Sequence, residues 1–385
     1  MRETVIVEAV RTPIGKRKGK LSGMRPDDLL ALALEGLVKK AGVSAEEVED
    51  VIAGCVSQVG EQAPDIARTA ALIAGFPETV PGVTIDRQCG SSQQAVHFAS
   101  QAVASGDMDV VIACGVESMT RVPMFSNMKG ATYSEKLTEK HEIINQGVSA
   151  ERIAEKWELT REELDTFALN SHERALKAQE NGVFDKEIIP VEVTLEDGST
   201  ELMKKDEGPR QGTSLEALGG LKTVFKEDGV ITAGNASQMS DGASAVLIMS
   251  REKADELGLK PRFRIVARSV VGSDPTLMLT GPVPASEKVL KKAGLTIDDM
   301  DLYEVNEAFA PVPLVWLKDM KADPEKLNIY GGAIALGHPL GGSGTRVMTT
   351  LMNALEQTGG RYGLQAICEG FGMANATIIE RISED

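Results

Sequence analysis

Two residue types in this chain invite a reading as chemistry: cysteines in conspicuous settings, and a histidine in a glycine-rich turn. Cys89 sits in DRQCGSSQQAVHFASQAVASG. The residues after it, Ala95, Val96, Ala99, Ala102 and Val103, have the spacing of a small-residue helix suited to burial. Cys89 is therefore expected at or near a helix N-terminus. Free backbone N–H groups and the helix dipole favour a thiolate there. An ordinary thiol titrates at about 8.5, so a drop of one or two units would leave it mostly ionised near neutrality. The plain alternative is a small core residue.

His338 lies in YGGAIALGHPLGGSG. Glycine permits close backbone approach and positive φ, and a glycine-rich turn opening a helix can hold an anion. The run is not the G-x-G-x-x-G of a dinucleotide-binding fold. Cys368, in CEGFG, ends a strand, and Cys114 is its counterpart in the first half of the chain. Cys55 and Cys114 read as core residues. Asn306 follows the strand LYEV, where a buried amide needs partners or holds a water.

The elements that position these residues come in two similar sets. LVKKAGVSAEEVEDV at 37–51 resembles VLKKAGLTIDDMDLY at 289–303. The layout of GVTIDRQCGSS resembles that of GAIALGHPLGGSG, which sets Cys89 against His338. A helix and a Ser-Gly or Gly-Gly stop follow in each. Short apolar strands such as VIVEAV, DVIAGCV, DVVIACGV and ATIIE fit an α/β sheet covered on both faces. Two such units packed about a pseudo-dyad would bring Cys89 and His338 together.

Residues 119–238 differ in character. ERIAEKWELTREELDTFALNSHERALKAQENG reads as two amphipathic helices broken at Thr160, where Thr160 and Glu163 form a capping-box pattern and Gly182 ends the second. A mixed-charge irregular region follows. An insertion that interrupts a repeat often covers the site the repeat makes.

Composition narrows the function classes. The 385 residues are too many for one ordinary domain, and 42% apolar with 25% charged is globular chemistry. A net charge of −16 argues against a nucleic-acid partner, although local basic spots remain able to hold a phosphate-bearing molecule. The four cysteines and four histidines lack metal-ligand clustering, so no metal site is expected. The start MRETVIVEAVRTPIG does not read as a signal peptide, and no stretch reads as a membrane span. A reducing cytoplasm with free thiols is expected.

Taken together, DRQCGSSQQAV, NEAFA, GGAIALGHPLGGSG and CEGFG, with RTPIG at the start and GNASQMSDGASAVL at 234–247, resemble the signatures of the thiolase family in order. The resemblance covers essentially the whole chain. It implies duplicated α/β/α/β/α halves about a pseudo-dyad with an inserted loop domain. The expected division is 1–118 for the first half, completed by about 239–261, then 119–238 for the loop domain over the coenzyme A site, and 262–385 for the second half.

The resemblance also implies roles. Cys89 is the acyl-accepting nucleophile. His338 is the base for Cys89 or for the incoming coenzyme A thiol, and Cys368 is the second acid/base. Asn306, through a water, joins His338 in one oxyanion hole, and the N–H groups of Cys89 and Gly370 form the other. Arg210 and Phe225 flank the nucleotide of coenzyme A with Thr213 nearby, Ala233 and Ser237 touch the pantetheine, and Phe309 lines the same tunnel. The implied activity is coenzyme A-dependent cleavage of a 3-oxoacyl-CoA, reversible as a Claisen condensation, with no permanently bound cofactor.

Two features bear on the substrate. The short-chain biosynthetic branch carries His-Met where this sequence has Asn145-Gln146, and Glu369 and Phe371 replace residues that are small in many members. The pattern is similar to bacterial degradative and steroid side-chain thiolases, which points to a longer or bulkier acyl chain than acetoacetyl. A decarboxylating ketosynthase on the same fold uses two histidines, or a histidine and an asparagine, with its cysteine; the second cysteine at 368 and the lack of a second suitable histidine argue against it. A non-catalytic acyl- or sterol-CoA-binding relative would be expected to lack the nucleophile. The family is dimeric or a dimer of dimers, so a homodimer or homotetramer is expected. RVPMFSNMKGATYSEKL at 121–137 falls where some members carry a tetramer-forming loop.

Overall fold

The computed structural model describes residues 2–195 and 197–382. The outermost residues of the first and last expected domains therefore lie outside the described residues. The strands are β1 (Thr4–Arg11), β2 (Gly15–Lys16), β3 (Asp50–Gly54), β4 (Gly82–Ile85), β5 (Val110–Ser118), β6 (Val191–Thr194), β7 (Thr200–Met203), β8 (Ser240–Ser250), β9 (Phe263–Gly272), β10 (Leu302–Val305), β11 (Tyr362–Glu369) and β12 (Met373–Arg381). The helices are α1 (Pro26–Ala41), α2 (Ile66–Ile73), α3 (Ser91–Ser105), α4 (Glu135–Thr138), α5 (Gln146–Lys156), α6 (Arg161–Glu180), α7 (Leu215–Gly219), α8 (Arg251–Glu256), α9 (Pro282–Ala293), α10 (Pro311–Met320), α11 (Ala333–Leu336) and α12 (Ser343–Thr358).

One sheet carries both sequence units, in the order β10-β11-β12-β9-β1-β8-β5-β3-β4, with β2 added on β8. β1 meets β9 over only two residue pairs, Val5 with Arg264 and Ile6 with Phe263. The order is mirrored about this junction: β8 and β12 flank it, then β5 and β11, then β3 and β10. Within each half the neighbouring β3 and β5, or β10 and β11, run parallel. β8 and β12 are antiparallel to them. The two-unit repeat is thus a two-unit sheet, mixed in direction.

Burial explains the strand sequences. β5 and β8 are buried along their whole length, as expected of strands covered on both faces. One core layer joins α1 and α2 to the sheet, with Leu30, Leu34 and Leu37 against Val51, Ile112 and Leu247. The other layer holds α3 and α12, where Val96, Ala99 and Val103 cluster with Met348, Leu351 and Leu355. Small residues on α3 allow the two central helices to approach closely.

Helix ends follow the local chemistry. Gly106 and Gly359 end α3 and α12 in the left-handed conformation, at φ 88° and 76°. Thr160 caps α6 with a reciprocal capping box to Glu163. α5 begins earlier than Glu151, because the Asn145 side chain accepts from the Gly147 N–H at 2.8 Å and starts the helix at Gln146. Among the described residues no helix is long and apolar enough to cross a membrane.

Candidate active site

Cys89 precedes Gly90, the N-cap of α3, so it stands just before the helix rather than on its first turn. The loop that delivers it bends at Gln88, φ 48°. Cys89 is only 5% exposed and clusters with Val56, Met119, Leu340 and Ile367. Burial pushes its thiol well above the ordinary thiol range, and the neighbouring Cys368 and Glu369 push it the same way. The expectation of a resting thiolate is therefore corrected. Loss of hydration outweighs the helix terminus, and the thiol needs a base at the moment of attack.

His338 has the form such a base requires. Its backbone N–H donates to the Gln238 carbonyl at 3.1 Å and is within 3.2 Å of Ser240 Oγ. Its Nδ1 lies 2.6 Å from Ser343 Oγ, and that hydroxyl donates to the Pro339 carbonyl at 2.8 Å. Having spent its proton there, Ser343 accepts from Nδ1–H. This assigns the tautomer and leaves Nε2 as the unprotonated, accepting nitrogen. Burial, aided by Arg346, lowers the imidazole to about 3, so it is neutral at rest.

Asn306 stands beside it. Its Nδ2 is 3.4 Å from His338 Nε2, its backbone N–H donates to the Ala366 carbonyl, and its Oδ1 is buried without a partner among the described residues. Cys368, 1% exposed, is the last residue but one of β11, next to Ile367 of the Cys89 cluster. Burial pushes its thiol up to about 12, with Glu369 adding to the shift. Gly370 opens the β11–β12 turn, and a Cβ placed on it would come within 3.1 Å of Gln88 Oε1, beside the Cys89 loop.

A cavity of about 570 Å³ takes His338 of this group into its lining. His338, Leu340 and Met119 line it together with Ala233, Ser237, Phe225 and Phe309. The two phenylalanines meet edge to face at 5.9 Å. Arg210, Lys16 and Arg17 line it too. The Arg210 N–H donates to His172 Nδ1 at 3.1 Å. Thr213 lines a smaller adjoining cavity of about 250 Å³, shared with Arg210 and Ala233, and donates to the Arg210 carbonyl.

Five of the six residues assigned to coenzyme A thus line the same cavity as His338, and the sixth, Thr213, donates to the Arg210 carbonyl. Lys16 and Arg17 were missed, although the basic run KRKGK in an acidic chain was the signal. Ser343 and Glu117 were missed as well. The buried Glu117 carboxylate accepts from the N–H groups of Val56, Ser57 and Gly341 and from Gln62 Nε2, at 2.8–3.0 Å. It ties the His338 turn to the end of β3. Nothing in the local sequence separates it from a surface acid.

Comparison with known proteins settles the family. The family model described as Thiolase, N-terminal domain, matches residues 4–252, and that described as Thiolase, C-terminal domain, matches 259–381. The chain belongs to the thiolase family. It is 51% identical to a steroid 3-ketoacyl-CoA thiolase of Mycobacterium tuberculosis, covering 99% of this chain and 95% of that one. A beta-ketoadipyl-CoA thiolase of Escherichia coli is 43% identical over 99% of this chain and all of its own. A crystal structure of the Bacillus anthracis acetyl-CoA acetyltransferase superposes with a TM-score of 0.92 at 41% identity, covering 99% of both chains. As a thiolase it is an acyltransferase, which cleaves 3-oxoacyl-CoA thioesters with coenzyme A to a shortened acyl-CoA and acetyl-CoA or, in reverse, condenses those two.

Proposed function

We propose that this thiolase works through an acyl-Cys89 intermediate on 3-oxoacyl-CoA substrates with acyl chains larger than acetoacetyl. The observation that carries the mechanism is His338, held by Ser343 in the tautomer whose Nε2 is unprotonated, beside Asn306 and lining the cavity. Cys89 gives its proton to His338 Nε2 as Sγ attacks the C3 ketone. The imidazolium N–H so formed, beside Asn306, donates to the C3 alkoxide. Such placed donors are typically worth about 3–4 kcal/mol each.

Collapse breaks C2–C3 and leaves the acyl group on Cys89. The electron pair enters the thioester as an enolate, held by the N–H groups of Cys89 and Gly370. Cys368 protonates C2 and acetyl-CoA leaves. The proton on His338 passes to the Cys368 thiolate. Coenzyme A then enters, gives its thiol proton to His338, and attacks the thioester. The departing Cys89 sulfur recovers that proton. These steps use no metal or permanently bound group, and coenzyme A is the co-substrate.

Arg210 and Phe225, with Thr213 behind Arg210, suit the nucleotide end by charge and stacking. Lys16 and Arg17 add charge for its phosphates. Ala233, Ser237 and Phe309 suit the pantetheine. The substrate reading rests on Asn145-Gln146 and Phe371 and on likeness to the steroid thiolase. Phe371 is 39% exposed, has φ 64°, and packs edge to face on Tyr133 at 5.7 Å. It does not line the cavity that His338 lines. Cleavage rates over a 3-oxoacyl-CoA series, from four carbons to branched and polycyclic chains, test this. Rates should rise beyond four carbons, and Phe371→Gly should shift the preferred length. A best substrate of four carbons would overturn the assignment.

The division into halves at 1–118 and 262–385, with 119–238 as loop domain, is supported by β8 completing the first half between β1 and β5. A homodimer, alone or paired into a tetramer, is supported by the outer edge of the sheet. β4 ends the sheet, and Leu72, Ile73, Val83 and Phe98 on and beside it are each about 40–45% exposed. Val83→Asp should convert the assembly to monomers in sedimentation; an unchanged sedimentation coefficient would place the contact elsewhere. The four free cysteines support a reducing cytoplasm.

A further inference from the structure

The mechanism leaves one buried acid next to the reacting thiols unused. Glu369 follows Cys368 at the end of β11 and has no solvent exposure. Neither carboxyl oxygen has a hydrogen-bond partner among the described residues. Its place against the Cys89 loop is set by close approach. A Cβ built on Gly90 would fall 2.0 Å from Glu369 Oε1 and 2.9 Å from Asn375 Nδ2. Carboxyl and amide therefore lie side by side on the Gly90 backbone, and no side chain fits between them.

Asn375 holds that backbone. Its Nδ2 donates to the Gly90 carbonyl at 3.0 Å, while its Oδ1 is buried and unpartnered. The group behind Gly90 thus holds three orphaned acceptors, two on Glu369 and one on Asn375, and one of the two Asn375 amide hydrogens is committed to the Gly90 carbonyl. An ionised carboxylate would add a buried charge to a set whose three acceptors have at most the second Asn375 amide hydrogen between them. A protonated carboxyl supplies the missing donor.

We propose that Glu369 is a positioning residue that works as a neutral acid, its O–H donating into this acceptor set and bracing the Cys368–Gly370 turn against the Cys89–Gly90 turn. Those two turns carry both reacting thiols and both amides of the enolate site. Glu369 touches neither substrate nor coenzyme A. The inference rests on the acyl-Cys89 reading for what the brace serves.

The surrounding charges are consistent. Burial drives the Glu369 carboxyl up to about 9, with Arg87 pulling it down and Asp86 pushing it up. Arg87 does not form an ion pair with it and instead points Nη1 at Met373 Sδ, 3.8 Å away. The other titratable groups facing it are Cys89 and Cys368, both of which its charge would make harder to ionise. Asp86, Arg87 and Cys89 come from the segment before α3, while β12 contributes the uncharged Met373 and Asn375. Ionising Glu369 would place a fixed negative charge beside thiols that must become thiolates during turnover.

The linkage has a definite sign. A carboxyl that keeps its proton when folded, but loses it when unfolded above about pH 4.5, weakens the folded state as pH rises from there towards 9. Glutamine is the same shape, keeps a donor and cannot ionise.

Two measurements on the full chain and its Glu369→Gln variant test this. The first is kcat and KM against pH, from about 7 to 10. Glu369→Gln should keep kcat within about threefold at pH 7 and lose an alkaline fall that the parent shows near pH 9. KM for coenzyme A should not move. The second is the thermal midpoint at about pH 5 and pH 8. The parent should lose more than Glu369→Gln between the two. A tenfold or larger loss of kcat at pH 7 in Glu369→Gln would show that the ionised carboxylate is the working form and overturn the proposal. Identical pH dependence of kcat in parent and variant would overturn it as well. If the parent chain forms no acyl-Cys89, the functional reading fails instead, and the thermal comparison still decides the protonation state: equal midpoint shifts overturn it.

Discussion

Cys89→Ser should lower thiolytic turnover by about ten-thousand-fold while leaving the fold intact. The geometry sets both halves of this result. His338 is a weak base, lowered to about 3 by burial and by Arg346. It can take a thiol proton in concert with attack, but a serine hydroxyl is far less acidic. The same weak base makes a strong acid once protonated, so its Nε2–H, beside Asn306, stabilises the alkoxide. Residual activity would come from the oxyanion donors and from binding. Serine fits the site of a cysteine that is 5% exposed, so the thermal midpoint should fall by no more than a few degrees. Turnover within tenfold of the parent would remove Cys89 from the mechanism.

Cys368→Ala should separate two half-reactions. Transfer of an acyl group between coenzyme A molecules needs only Cys89 and His338, and it should stay within about tenfold of the parent. Carbon–carbon cleavage and exchange of the acetyl-CoA methyl protons with D₂O need a proton donor and acceptor at C2. Both should fall by about a thousandfold or more. A thiol pushed up to about 12 is a poor acid in water, yet the thioester carbanion it meets is a far stronger base than its thiolate. Parallel loss of all three rates would mean that Cys368 supports the Cys89 loop rather than moving protons. Retention of methyl exchange would assign the proton to another group.

The parts of this site that sequence reveals are those whose neighbours along the chain carry the information. Cys89 and His338 each sit in a turn before a small-residue or glycine-rich helix start, and the repeat pairs them. The mirrored strand order about β1 and β9 is the physical form of that repeat. Capping chemistry is equally local, so Thr160 and Glu163 marked the start of α6.

What stayed hidden depends on distant chain segments converging. Ser343 sets the His338 tautomer only because Pro339 takes its proton. Glu117 becomes a clamp only when Val56, Ser57, Gln62 and Gly341 gather round it. The resting state of Cys89 was misread for the same reason. A helix start is visible in sequence, whereas the burial that outweighs it comes from Met119, Leu340 and Ile367. Lys16 and Arg17 reach the cavity because β2 adds to β8, a pairing no local pattern announces.

The central claim is the acyl-Cys89 intermediate. Its most direct measurement is intact and peptide mass spectrometry of the full chain, rapidly quenched after mixing with a 3-oxoacyl-CoA. One acyl group per chain, located on the Cys89 peptide and discharged as a shortened acyl-CoA when coenzyme A is added, is the result expected here. Turnover with no adduct, or with the acyl group on Cys368, would contradict the account.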